Sequence, residues 1–578
     1  MTIPILRRAA LVAALVAAAV VPGVPAYAAG TGAIAGTVTT SSGAAAPDVA
    51  VQIYHYDNGD TEAVGWTQQR QFVPGKLTYE AVGVFDLQAG GQLTADDTVL
   101  PTGTLAGRLT TATGTASVGA AVTATPVDGH DFVTVLTNAN GEFSLPLFAT
   151  GYVVSFYQDR LTQYYPGKTN HADATEVRVL AGQTTRITDS WLGTGSVRIT
   201  GVDAVSGAPV ADFCAEGVCS NSTGKVTVIG QLTGSQRLNA NPADVLHFDT
   251  DVDVQVRADQ TVDVTARFAP GAAISTRIVD RATGNPVAGV CLDAFLPKQV
   301  RIHAAAAYCS NAEGRVTAGP LVPGLYRLFA TPTSATHGKQ WVGAAGGTGD
   351  ERQAATVAAV AGRISTAPQV VLDPAGSIVG RVTDAATGQP LAGVRPGLVG
   401  PQFGQGDRDP VTDPQGNYRL DRLGPYEWPV VFSREDMATT WSGGTGDRYA
   451  ATKVKVPPGA STSYLFALTR GTEVKGTLKN AAGVSAAGGY LAAHNAVTGD
   501  IVGVSVFSDG GYYSMRLVAG QSVYFTYNTD FDGRASRGQY PEPATVRSTR
   551  PGGPTLATAG FPVPSSGPLT IDITVRTG

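Results

Sequence analysis

Apolar residues alternate with small or polar ones in a short stretch that returns six times along the chain. The copies are Gly32-Ala33-Ile34-Ala35-Gly36, Gly103-Thr104-Leu105-Ala106-Gly107, Gly195-Ser196-Val197-Arg198-Ile199, Ala272-Ala273-Ile274-Ser275-Thr276, Gly376-Ser377-Ile378-Val379-Gly380 and Thr472-Glu473-Val474-Lys475-Gly476. A period of two predicts a half-buried strand. A turn follows, clearest in Thr283-Gly284-Asn285-Pro286 and Thr387-Gly388-Gln389-Pro390, where Gly accepts positive φ and Pro presets the next bend. A second strand is expected beyond it, as in Leu391-Ala392-Gly393-Val394. The next landmark is Gly-x-aromatic or Gly-x-Val: Gly141-Glu142-Phe143, Gly224-Lys225-Val226, Gly314-Arg315-Val316, Gly416-Asn417-Tyr418 and Gly511-Tyr512-Tyr513. A further Gly comes at 151, 234, 324, 424 and 520, a separation of one strand plus a turn, which reads as a hairpin. The first copy lacks this central signature but keeps both ends, since Ala89-Gly90-Gly91-Gln92-Leu93-Thr94 matches the closing turn of the second.

No segment sustains a helical period, and turns recur every eight to twelve residues or so, which predicts all-β sandwiches. A repeat this long is a whole domain, not a solenoid unit. The expected division is a leader at 1–28 and sandwiches at 29–101 (degenerate), 102–194, 195–270, 271–375, 376–470 and 471–578. Links such as Leu192-Gly193-Thr194 are short, so neighbours are expected to couple stiffly. Six in line would reach roughly 150–200 Å, a rod.

Composition agrees. The chain has 71 Gly and 35 Pro, yet 43% of its 578 residues are apolar, too many for disorder. A formal charge of −5 without a basic patch gives nucleic-acid binding no electrostatic support. Arg7 and Arg8, the apolar run Ala9 to Val21 and the small residues of Ala26-Tyr27-Ala28 form an export leader, too short for a membrane span. No second long apolar run follows, and Ile571-Asp572-Ile573-Thr574-Val575 reads as a strand, so a secreted, extracellular protein is expected.

The stretches Gly-Ser-Ile-Val-Gly-Arg-Val-Thr-Asp at 376–384, Gly388-Gln389-Pro390-Leu391-Ala392-Gly393-Val394 and Asp413-Pro414-Gln415-Gly416-Asn417-Tyr418 resemble the carboxypeptidase regulatory-like domain. The resemblance implies a transthyretin-like Greek-key sandwich, grouped with the carbohydrate-binding-like, starch-binding-like folds. Its motifs are turn and core residues, which bear on fold and not on function.

Four cysteines in an exported chain allow three pairings. Aligning the third and fourth copies sets Cys214 on Cys291 and Cys219 on Cys309, which predicts the disulfides Cys214–Cys219 and Cys291–Cys309. A shared metal site would need all four to converge, and their spacing is unlike a paired CxxC. The histidines His55, His130, His171, His247, His303, His337 and His494 stand singly, none with a Glu at zinc-peptidase spacing. Neither a Gly-x-Ser-x-Gly elbow nor a phosphate-binding loop is present, and Glu142 and Glu313 fall in different copies, unlike a glycosidase pair. No catalytic residue and no cofactor is therefore assigned. Lys475 and Asp572 are the only placement resembling the isopeptide pairs of pilin-type modules, and no Glu lies in that copy's central hairpin. Asn528, Asp530 and Asp532 before Gly533 copy the start of a calcium loop, but its twelfth position is Gln539 instead of Glu. A plain polar loop is the alternative reading.

The recurring feature with binding chemistry is aromatic: Tyr164, Tyr165, Trp341, Trp441, Tyr449 and Tyr540 in the long loops, with Phe72 in the first copy. Exposed rings stack on sugars, whereas packed rings anchor a Gly/Pro loop to the sheet. The expected function is a non-catalytic extracellular scaffold or adhesion rod whose loop aromatics grip polysaccharide or cell-surface glycan. The alternative is a starch-binding protein associated with polysaccharide hydrolysis, as in an α-amylase.

Overall fold

A computed structural model describes residues 33–40, 42–46, 71, 92–127, 132–296, 309–398, 410–507, 509–531, 534–541 and 560–575. The leader, Phe72, His55, His130, His303 and Asp532 lie outside these residues. The chain is all-β, a tandem series of small two-sheet sandwiches. It forms two compact units, one ending with Trp191 and the other comprising Lys168–Asn170 and Leu192 onward. Among the described residues no helix is long and apolar enough to cross a membrane.

In the first unit the strand Thr102–Thr110 lies between Glu142–Phe148, antiparallel, and the closing strand Thr184–Ser190, parallel. Facing it is a sheet ordered Leu161–Tyr164, Gly151–Gln158, Ala121–Pro126, Val133–Leu136. Leu105, Leu109, Val122, Leu145, Val154 and Phe156 are fully buried between the two. In the first copy the ends alone are described: Ala33–Ala35 and Val38–Thr39 pair in parallel with Gln92–Thr94 and Asp97–Thr98.

The second unit repeats the plan. First strands Thr194–Asp203, Ala272–Asp280, Gly376–Asp384 and Thr472–Asn480 each take a landmark strand on one side and a parallel closing strand on the other. The connection expected to be a hairpin is an arch. Glu142–Phe148 and Gly151–Gln158 lie in different sheets, as do Asn417–Leu423 and Val431–Ser433, and Tyr512–Leu517 and Ser522–Phe531. Strand, tight turn and strand have the same spacing whether the chain folds back in one sheet or crosses to the other. Leu391-Ala392-Gly393-Val394 is likewise a turn, with Gly393 at φ 71°, and the strand is Arg395–Gly397.

Two glycines show why the motif needs glycine. Gly416 has φ 78°, and a Cβ there would lie 2.4 Å from the Val382 carbonyl oxygen. A Cβ on Gly380 would lie 1.8 Å from the Tyr464 carbonyl oxygen, where the closing strand crosses the first. In the last three copies that closing strand is broken in two, which frees one carbonyl. Thr276 Oγ1 donates to Pro368 O at 2.7 Å, the Tyr418 hydroxyl to Tyr464 O at 2.8 Å, and the Tyr513 hydroxyl to Ile571 O at 2.6 Å. The landmark tyrosine thus satisfies a backbone group that the break leaves over.

Candidate functional site

Copies four and five share a turn that the pattern of strands did not single out: Gly346-Gly347-Thr348-Gly349-Asp350 and Gly443-Gly444-Thr445-Gly446-Asp447. Each aspartate caps a single 3-10 turn, Asp350 accepting from the Arg352 amide and Asp447 from the Tyr449 amide. Each threonine hydroxyl accepts from the aspartate amide at 3.1 Å. The third glycine lets the turn touch the following sandwich. A Cβ on Gly349 would lie 2.3 Å from Glu427 O, and one on Gly446 would lie 2.4 Å from Gln521 Oε1.

The residue after each capping aspartate carries charge into the contact. Glu351 meets Arg327 of its own sandwich at 3.1 Å and Arg448 of the next at 2.6 Å. Arg448 also meets Asp500 of the sixth sandwich at 3.2 Å. The three side chains are 5%, 11% and 12% exposed, so the pairs are largely desolvated. Glu351 Oε2, Arg448 Nε and Asp500 Oδ2 lack hydrogen-bond geometry, so attraction between charges, not directional bonding, is what couples them. The Arg448 guanidinium also sits above the rings of Trp441 and Tyr449. Beside this chain, Asp350 pairs with Arg352 at 3.0 Å and with Lys453 of the fifth sandwich. Burial alone would raise the Asp350 carboxyl, but hydrogen bonds from Arg352 and Lys453 outweigh it and hold it at about 2. Burial pushes the Asp500 carboxyl up, against the pull of Arg448.

Apolar packing joins the same sandwiches. Phe295, Phe329 and Trp341 of the fourth belong to one buried cluster with Trp428, Phe432 and Val456 of the fifth. The Tyr426 hydroxyl donates to Asp373 at 2.6 Å and lies 2.9 Å from Gln340 Oε1, and Lys339 exchanges backbone bonds with Arg422 and Gly424. Two of the single histidines serve as clasps near the preceding junctions. His247 lies between Asp203 and Asp244, and His337 lies 2.9 Å from Asp280, their backbones bridging to Pro270 and Pro374. The His337 contact is the main cause that holds Asp280 at about 2.

The disulfides Cys214–Cys219 and Cys291–Cys309 are present, each joining residues that face one another across neighbouring segments. The aromatic candidates do not form one surface. Trp341 and Trp441 are 5% and 0% exposed and cannot stack on a sugar in this structure. Trp341 belongs to the cluster shared with the fifth sandwich, whereas Trp441 is packed on Val431 and Ala451 of its own sandwich with the Arg448 guanidinium above it. Tyr449 is half-buried against Arg352 and Arg448, Tyr540 stacks on Phe561, and Tyr165 packs on its own core. Tyr164 makes an edge contact with His171 on the outer face of its sheet. Asn528 and Asp530 lie within the strand Ser522–Phe531, opposite Arg537 and Ala535, so this part of the expected calcium loop is strand. Among the described residues no three His, Cys, Asp or Glu gather as a metal would require. Lys475 pairs with Glu473, while Asp572 accepts from Thr477, so the two are not partnered.

Residues that the strand pattern missed are Glu351, Arg448 and Asp500 at the junctions, and Tyr157, which is 52% exposed. The repeated Gly-Gly-Thr-Gly-Asp was a readable signal for the first two. Nothing local marks Asp500.

No protein-family model matches the chain, and no curated protein matches it. Among solved structures it is similar to the Bacillus anthracis TIE protein, at 9% identity over 82% of this chain and 68% of that one, with a TM-score of 0.15. It is also similar to a streptococcal ancillary pilin, at 12% identity over 47% and 99% of the two chains, with a TM-score of 0.16. The third is BcpA, the major pilin subunit of Bacillus cereus, at 10% identity over 64% and 99%, with a TM-score of 0.13. Likeness this low says nothing of what the present chain does.

Proposed function

We propose that this chain is a secreted, non-catalytic scaffold of tandem sandwiches related to carboxypeptidase regulatory-like repeats, in which the last three sandwiches are docked instead of freely jointed. The observation that carries this reading is the pair of junctions among the last three sandwiches: the fourth and fifth share one apolar cluster, and the buried chain Glu351, Arg448, Asp500 runs from the fourth through the fifth to the sixth. Flexibly linked domains would leave such groups in water. The leader and the two disulfides fit an oxidising compartment outside the cell. Limited proteolysis tests it: the links around 373–376 and 469–472 resist cleavage as long as the sandwiches stay folded. Rapid cleavage there, releasing intact sandwiches, contradicts it.

A second reading, polysaccharide binding, is favoured by one face of the second copy. Tyr157 and Tyr164 project from the same side of neighbouring strands, Tyr157 opposite Thr162 and Tyr164 opposite Ser155. Thr123 and Thr134 continue the Ser155 row, and Ala121 and Leu136 the Tyr157 row, so these positions carry no charge. On this reading the mature chain is retained on starch, cellulose or chitin, and Tyr157→Ala with Tyr164→Ala abolishes retention. Unchanged retention by that double variant, or none by the parent chain, excludes it. Release of reducing sugar would instead support the hydrolytic alternative.

A further inference from the structure

We propose that the alternating charges of Glu351, Arg448 and Asp500 determine which sandwich docks on which. The inference rests on the docked reading above and adds a rule of order to it. The two docking turns have one backbone design: Gly-Gly-Thr-Gly-Asp, the same cap and the same threonine contact. Shape alone therefore discriminates poorly between them. They differ in the next residue, Glu351 in the fourth sandwich and Arg448 in the fifth. The fourth turn presents an anion to Arg448, and the fifth presents a cation to Asp500. Docked on the sixth sandwich, the fourth turn would bury Glu351 against Asp500. Docked on the fifth sandwich of a second chain, the fifth turn would bury Arg448 against another Arg448. Each mistake sets like charges together out of water, which costs far more than a correct pair gains. Around these residues Arg327 pairs with Glu351, and Asp350 pairs with Arg352 and Lys453. Glu351 and Asp447 both repel the Asp500 carboxylate, a repulsion that Arg448 between them offsets. Asp447 keeps its carboxylate on the Tyr449 amide.

Hydrogen exchange on the full mature chain tests the rule, read at segments 348–354 for the first junction and 495–500 for the second. Asp500→Lys is expected to speed exchange about tenfold or more at the second junction and less at the first, and Glu351→Lys the reverse, the smaller effects passing through the shared Arg448. In the Asp500→Lys background, Arg448→Glu should return the second junction to within about threefold of the parent while opening the first. Arg448→Met, which removes charge without repulsion, should disturb both junctions less than Arg448→Glu alone. The rule is overturned if Asp500→Lys opens both junctions alike, if Arg448→Glu fails to rescue it, or if Arg448→Met is as damaging as Arg448→Glu. Exchange in the first strands Ala272–Asp280, Gly376–Asp384 and Thr472–Asn480 reports whether a variant has merely unfolded. Fast exchange at both segments in the parent chain would instead sink the docked reading itself.

Discussion

Thr276, Tyr418 and Tyr513 perform one task in three sandwiches, each donating a hydroxyl to the carbonyl freed where the closing strand breaks. In copies two and three the closing strand runs unbroken beside the first, and there Phe143 and Val226, with no hydroxyl, occupy the landmark position. The fourth copy has Val316 at that position and a broken strand, and Thr276 supplies the hydroxyl from the first strand instead. Tyr513→Phe is therefore expected to lower the stability of the sixth sandwich by about 1–2 kcal/mol, measured by urea unfolding, because its carbonyl partner stays buried and loses its donor. A change below a few tenths of a kcal/mol would mean that the carbonyl finds another partner. The junction carboxylates make opposite pH predictions. Asp350, held at about 2 against 3.8 in the unfolded chain, contributes stability at pH above 3.8 that is lost as pH falls towards 2. Asp500, whose folded value is raised, favours the folded state below 3.8 and loses that contribution as pH rises through its folded value. Asp350→Asn should thus flatten the acid limb of the stability curve, and Asp500→Asn the limb above it. Exchange of opposite limbs between the two variants would refute the assignment.

At the scale of elements, the first, landmark and closing strands were legible because a period of two with glycine turns marks them, whereas the strand expected at 391–394 is a turn. The first and closing strands of the degenerate first copy are recognisable from Ala33–Ala35 and Gln92–Thr94. The cysteine pairing was legible for a different reason, since two aligned copies place both pairs before and after the same loop. The arch was not, because spacing alone does not reveal which sheet receives the chain after Gly151 or Gly424. The exposure of the tryptophans was not legible either. A Trp among Gly, Ser and Thr, as in Trp441-Ser442-Gly443-Gly444-Thr445, reads as a surface loop. What buries it is the loop folding back on its own sandwich, with Val431 and Ala451 packed on the ring and Arg448 above it. Nor was the burial of Arg448 and Asp500 legible: charged residues in turns suggest solvent, and it takes the adjoining sandwich to remove it.

At the scale of the molecule, the last three sandwiches are held together by contacts of two kinds with different consequences. The aromatic cluster around Trp341 and Trp428 joins the fourth sandwich to the fifth. It is non-directional and supplies most of the adhesion there, since burying large rings is worth more than the ion pairs return after desolvation. Asn495 donating to Gly446 O and Arg448 meeting Asp500 tie the fifth to the sixth. The charged chain contributes little net attraction and much selectivity. Calorimetry of the mature chain tests this account most directly. It predicts that the fourth, fifth and sixth sandwiches unfold in one cooperative transition, and that Trp428→Ala lowers the temperature at which all three unfold. Three separate transitions, with Trp428→Ala shifting the one that belongs to the fifth sandwich alone, would contradict it.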